Sequence, residues 1–205
     1  MYIASLHERY IKMSSDFFEA YTITKEELKV FTDGRDSYDL RELKDLEIIS
    51  VKMRENALSC TLFQALAFES MMNYLGVRVI GASKFKEHYE RLTPLNKLIV
   101  LYRIETGKDF PKDNELYKNI KSLISLRNEL THSKSKNFDY YNSDFEKHQK
   151  IHDYCDQNII DKVEEIQNVC SRLQNKLNSK LENNWFNEYA QEKIYTSGNL
   201  VAFYK

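Results

Sequence analysis

Apolar residues recur along this chain at intervals of three and four, and that periodicity predicts helices nearly throughout. Tyr2, Leu6, Tyr10, Met13 and Phe17 mark an amphipathic helix over residues 1 to about 21. "TDGRDSYD" (32–39) is the clearest early turn. From Leu40 to about Leu75 the helical pattern continues with no Gly or Pro. Its second half, "ALSCTLFQALAFESMMNYLG", is apolar nearly all round, as a central helix must be, and Gly76 and Gly81 bracket its end. Ser83 is placed to cap a short helix, "SKFKEHYERL". Thr93-Pro94 opens another, with Pro at the first helical position, and Gly107 stops it. "DFPKDN" is the next connector, and a further helix starts near Asp113. A polar loop, "SKSKNFDYYNS", follows His132, and Ser143 or Asp144 begins a long helix to about Asn183. Neither an internal repeat nor a low-complexity linker is visible. The expected architecture is an all-α, antiparallel helical bundle forming one domain over 1–205. Its core covers about 40–183, with an N-terminal helix at 1–21 and a C-terminal extension at 184–205.

One segment breaks the pattern in an informative way. At about 100° per residue, Leu116, Ile120, Leu123, Ile124, Leu126 and Leu130 form one apolar stripe, and Arg127 falls within it. A guanidinium on the core side is costly unless an anion or acceptors meet it. Asn128 follows directly, and His132 lies one turn beyond Asn128, so those two share a face. In an unbroken helix His132 would stand about 140° from Arg127. The two converge only if the helix ends near Thr131, or if a second subunit brings its own copies alongside.

Composition narrows the classes. Five Gly and two Pro in 205 residues, with 30% charged residues, favour long helices over a sheet protein rich in tight turns. The net charge of −1 advertises no global basic field for nucleic acid and no polybasic membrane surface, so any anion binding is local. No stretch approaches the roughly 20 apolar residues of a membrane span, and "MYIASLHERYIKM" lacks a signal-peptide core. Cys60, Cys155 and Cys170 are widely spaced and odd in number, which fits reduced thiols in a cytoplasmic protein. The chain carries no Walker loop, dinucleotide fingerprint, GxSxG elbow or HExxH, so no cofactor is expected.

Arg127-Asn128-Glu129-Leu130-Thr131-His132 resembles the signature of the HEPN family: Arg, a polar residue that is often Asn, then His after four to six residues. "LAFESMMNYLG" is similar to the apolar helix with embedded Glu and Asn that precedes the motif helix in many members. The resemblance covers about residues 55–180. It implies a homodimer whose two motifs face a shared cleft. Many members are metal-independent ribonucleases of toxin–antitoxin, abortive-infection and other antiviral systems, and others are non-catalytic binding modules. The expected function is therefore an endoribonuclease that cleaves RNA by 2′-OH attack, with an antitoxin or other regulatory protein as a further partner. Some toxins of the family carry Tyr two residues after the His, a target for nucleotidylation. Here Lys134 stands there, which disfavours that subclass.

The residue types suit metal-free RNA cleavage. His132 can act as acid or base near neutral pH. Arg127 can hold the phosphate through bidentate contacts, and Asn128 can orient the ribose or the imidazole. Glu69 and Asn73, one turn apart on the otherwise apolar central helix, need partners, and Arg127 is the obvious one. Lys121, Lys134 and Lys136, with Lys118, flank the motif, and Phe138, Tyr140 and Tyr141 follow. Basic residues beside aromatics can track a backbone and stack unpaired bases. Asp144, His148, His152 and Asp156 stand at successive i+4 positions, where two histidines can clasp zinc. No further ligand cluster completes such a site, and a solvated helix face is expected instead. The rival to the ribonuclease is a non-catalytic helical module binding a protein or nucleotide, in which Arg127 merely pairs with Glu69.

Overall fold

The computed structural model describes residues 6–35, 37–131 and 157–180, and among these every regular element is a helix. In order they are α1 (His7–Thr32), α2 (Leu40–Ile80), α3 (Ala82–His88), α4 (Pro94–Thr106) and α5 (Glu115–Thr131). A helical segment over 157–166, α6, and α7 (Val169–Lys180) follow. The protein is an all-α helical bundle. No helix among the described residues is long and apolar enough to cross a membrane.

Helix α2 is the axis of the bundle. Its buried residues run from Ala57 to Gly76 and meet α1, α4, α5 and α7. Helix α1 lies antiparallel along it: the Ser14 hydroxyl donates to the Cys60 carbonyl (3.0 Å), and Phe17 stacks on Phe63 with ring centres 5.5 Å apart. Tyr21 is 1% exposed, so α1 belongs to the core as fully as the later helices do. This helix runs eleven residues beyond the predicted end at 21. Thr24 is still buried, Phe31 stacks on Tyr38 of the turn, and nothing breaks the helix before Gly34, whose φ is 68°. The turn is then locked. The Asp39 carboxylate accepts from the backbone N–H of Arg41 and Glu42, and Glu42 accepts from the N–H of Asp39, a complete capping box.

Helix α2 runs five residues past the expected end near Leu75, through the first of its two bracketing glycines, and stops at the second, Gly81, whose φ of 89° only glycine adopts freely. Gly76 makes room for Phe85 of α3, whose ring occupies the space a Cβ would fill. Gly81, and not Ser83, is the N-cap of α3. The signals for α4 act as read. Thr93 Oγ1 accepts from the Asn96 N–H, Pro94 is the first residue, and Gly107 closes the helix in the left-handed region. Helix α5 begins at Glu115, two residues after the expected start, with Asn114 Oδ1 accepting from the Tyr117 N–H at 2.8 Å.

The long helix expected from residue 143 starts outside the described residues. What is described is interrupted by a turn at Gln167–Asn168. Both halves nevertheless run antiparallel to α5 in one register. Asn158 donates to Glu129 (3.2 Å), Asn119 to the Glu165 carbonyl (3.1 Å) and Arg172 to Glu115 (3.2 Å). Leu116, Ile120, Leu123 and Leu126 of α5 are buried, and Ile159, Val163, Ile166, Cys170 and Leu173 cover them from the other side. At the opposite extreme, Leu40, Leu43, Ile48 and Val51 near the start of α2 are exposed, Leu40 by 82%.

Candidate functional site

Three helices bring their polar side chains to one region beside the core. Glu69 and Asn73 lie on one face of α2, because residues four apart on a helix are stacked neighbours. Arg127 projects from α5, one turn before Thr131, whose hydroxyl donates to the Arg127 carbonyl (2.9 Å). Lys97 comes from α4.

The stripe of α5 carries Arg127 to the α2 side, as its position among Leu123, Leu126 and Leu130 requires. It sits at the rim rather than in the interior: its side chain is 33% exposed and that of Glu69 41%. The guanidinium Nη2 is 3.8 Å from the Glu69 carboxylate, an ion pair too long for a hydrogen bond, while Nη1 donates to Asn128 Oδ1 at 3.2 Å. An arginine has five N–H donors. Among the described residues that single hydrogen bond is all it makes, so most of its donors are available to an incoming anion. Half-exposure of both partners keeps the ion pair weak, in the range of about 0–1 kcal/mol.

Asn73 has a different partner from the one expected. Its Oδ1 accepts from Lys97 Nζ at 2.7 Å. Lys97 is only 5% exposed and lies over the Phe85 ring, 5.6 Å from its centre. Burial pushes its ammonium below the ordinary lysine value, and the negative charges of Glu69 and Glu90 partly restore it. Glu69, paired with Arg127 on α5, thus also acts by its charge on Lys97 of α4.

Lys97 was not anticipated, although a signal existed. It precedes Leu101 by one turn on a helix whose apolar stripe also holds Leu98, the same kind of misplacement that drew attention to Arg127. Of the other expected residues, Asn128 is exposed beside Arg127. Lys121 is exposed but lies about 120° around α5 from Arg127, so the two do not share a face. His132, Lys134, Lys136, Tyr140 and Tyr141 lie outside the described residues, as do Asp144, His148, His152 and Cys155.

Chemically, the described part of the site offers a guanidinium with free donors, a carboxylate that orients it, and an amide held by a buried ammonium. Such a set binds and positions an anion. A proton donor or acceptor working near neutral pH must come from elsewhere, and His132 is the next residue in the chain after Thr131. Compared with family models, with curated proteins and with solved structures, the chain matches none.

Proposed function

We propose that this protein is a HEPN-like, metal-independent endoribonuclease. In this reading Arg127 grips the scissile phosphate. His132 exchanges protons with the 2′-OH or the leaving 5′-oxygen, and Asn128 orients the ribose or the imidazole. The supporting observation is the state of Arg127: an arginine delivered by an apolar stripe, paired with Glu69 at 3.8 Å, yet with most donors unspent among the described residues at a half-exposed rim. A purely structural arginine at this position would be expected to spend its donors on the protein. Lys121, Lys134, Lys136, Tyr140 and Tyr141 would contact the flanking RNA, and two copies of the chain would place their motifs in a shared cleft. A toxin-like or antiviral role, cytoplasmic and under an antitoxin or other regulatory protein, belongs to the same proposal.

The rival is a non-catalytic module, favoured by the Glu69–Arg127 pair itself, which suffices to keep an arginine there without any ligand. Incubating the purified protein with mixed RNAs in excess EDTA separates the two. The ribonuclease yields fragments with 2′,3′-cyclic phosphate and 5′-OH ends, spares DNA, and fails where the scissile nucleotide is 2′-O-methylated. Fragments with 5′-phosphate and 3′-OH ends, or activity that EDTA removes and magnesium restores, would refute the mechanism. Intact RNA with wild-type protein would leave the rival.

A further inference from the structure

We propose that Lys97 is a positioning residue for the Arg127 site: its ammonium fixes Asn73 on the α2 face that also carries Glu69, the carboxylate paired with the Arg127 guanidinium. The inference rests on the reading of Arg127 as the cation that grips phosphate.

A lysine on a short helix normally snorkels, laying its stem on apolar surface and sending the ammonium to water. Lys97 does the opposite. With 5% exposure it keeps its ammonium inside, donating to Asn73 at 2.7 Å above the face of Phe85. That arrangement costs solvation, and the compensation comes from a restricted set of groups. Asn73 and Glu69 face it from α2, Phe85 from α3, and Glu90 from the segment between α3 and α4. Among the described residues, Glu69 pairs with Arg127 and its charge also acts on Lys97. A carboxylate attracted by cations from two sides resists rotation away from either, which steadies the direction in which the guanidinium presents its donors. The arrangement also explains why Asn73 faces α4 and not Arg127.

The proposal is tested in two independent ways on the full-length protein. The first needs no activity: NMR titration of isotope-labelled lysine side chains in the wild type and in Glu69→Gln. One lysine is expected to titrate below the others, to vanish in Lys97→Met, and to move further down when Glu69 is neutralised. A titration unmoved by Glu69→Gln overturns the linkage. The second is kinetic. Lys97→Met is expected to lower kcat on RNA by up to about fivefold, with KM changed less, because orientation and not binding is lost. Lys97→Arg, which keeps the charge and cannot deprotonate, is expected to retain more activity and to lose the alkaline fall-off of the wild-type pH–rate profile. Equal kcat in wild type and Lys97→Met, with both folded, overturns the positioning role. Should the wild type leave RNA intact, the ribonuclease reading falls, and the titration alone judges the Lys97–Glu69 linkage.

Discussion

Replacing Gly76 by Ala is the sharpest test of the packing beneath the site. A methyl at that position would lie 2.0, 2.4 and 2.7 Å from Cε2, Cδ2 and Cζ of Phe85, far inside contact distance. The ring is 4% exposed and sits under the Lys97 ammonium, so it cannot turn aside without disturbing that contact. Overpacking of this kind costs about 1–3 kcal/mol, and full expulsion of the ring would approach the roughly 3–5 kcal/mol of a Phe→Ala change. Against this, Ala is the better helix former by about 1 kcal/mol, since Gly76 lies inside α2 and not at its end. The net expectation is a loss of up to about 2 kcal/mol, or a melting temperature lower by up to roughly 8 °C for a chain this size. In a Phe85→Ala background the clash disappears, and the same substitution should become neutral or stabilising by up to about 1 kcal/mol. Urea denaturation followed by circular dichroism on all four proteins measures this cycle. Stabilisation of the wild type by Gly76→Ala, or an equal loss in both backgrounds, would refute the assignment of Gly76 to close approach.

Other expectations follow from burial. Gln64 is fully buried and, among the described residues, neither of its side-chain amide atoms has a partner, so Gln64→Met should raise stability by about 1–3 kcal/mol in denaturant titrations. Arg127→Ala should abolish RNA cleavage yet cost under about 1 kcal/mol of stability, because Glu69 is left half-exposed and not buried; a loss above about 2 kcal/mol would favour the structural rival. His132→Ala should abolish cleavage with the melting temperature within about 2 °C of wild type, a shift worth roughly 1 kcal/mol or less; full activity in that variant would remove His132 from the mechanism. Burial pushes the Cys60 thiol from 9.0 to about 11, and Cys170 upward as well. Above pH 9 the unfolded thiols lose protons that the folded ones keep. Stability should therefore be unaffected by Cys60 below pH 9 and fall by about 1.4 kcal/mol per unit from there to about pH 11, a slope that Cys60→Ala should reduce.

What could be read from the sequence was what depends on near neighbours. Thr93, Pro94 and Gly107 delimit α4 through contacts within a few residues, so their types alone reveal their roles. Arg127 was conspicuous because a single helix's periodicity exposes a charge on an apolar face, and its pairing with Glu69 was foreseeable from the lone acid in the apolar second half of the facing helix. The role of Gly76 inside α2 went unread because its reason lies nine residues away, in the ring of Phe85, and no local pattern records that contact. Asn73 was assigned to Arg127 for a similar cause: choosing between two cations requires knowing that α4 packs nearer to it than α5 does. The C-terminal half of α1 was missed because its helical run carries mostly charged and polar residues on its outer side, and the apolar face it keeps is sparse.

Burial on α2 starts only at Ala57, so the hairpin formed with α1 is anchored at one end. At 1.5 Å per residue, roughly 25 Å of α2 stands outboard of the core. A tilt of about 5° near Ala57 would carry the tip about 2 Å over that length of helix. The same tilt leaves Glu69, three turns further into the bundle, almost unmoved. Opening free energies follow burial, so amides over 40–52 should exchange with solvent well before those over 57–75. The capping box and the Arg35–Glu42 ion pair at 2.8 Å hold the tip as a unit while it sways. The molecule therefore has a compliant end and a stiff one, and Arg127, Glu69 and Lys97 are mounted on the stiff one.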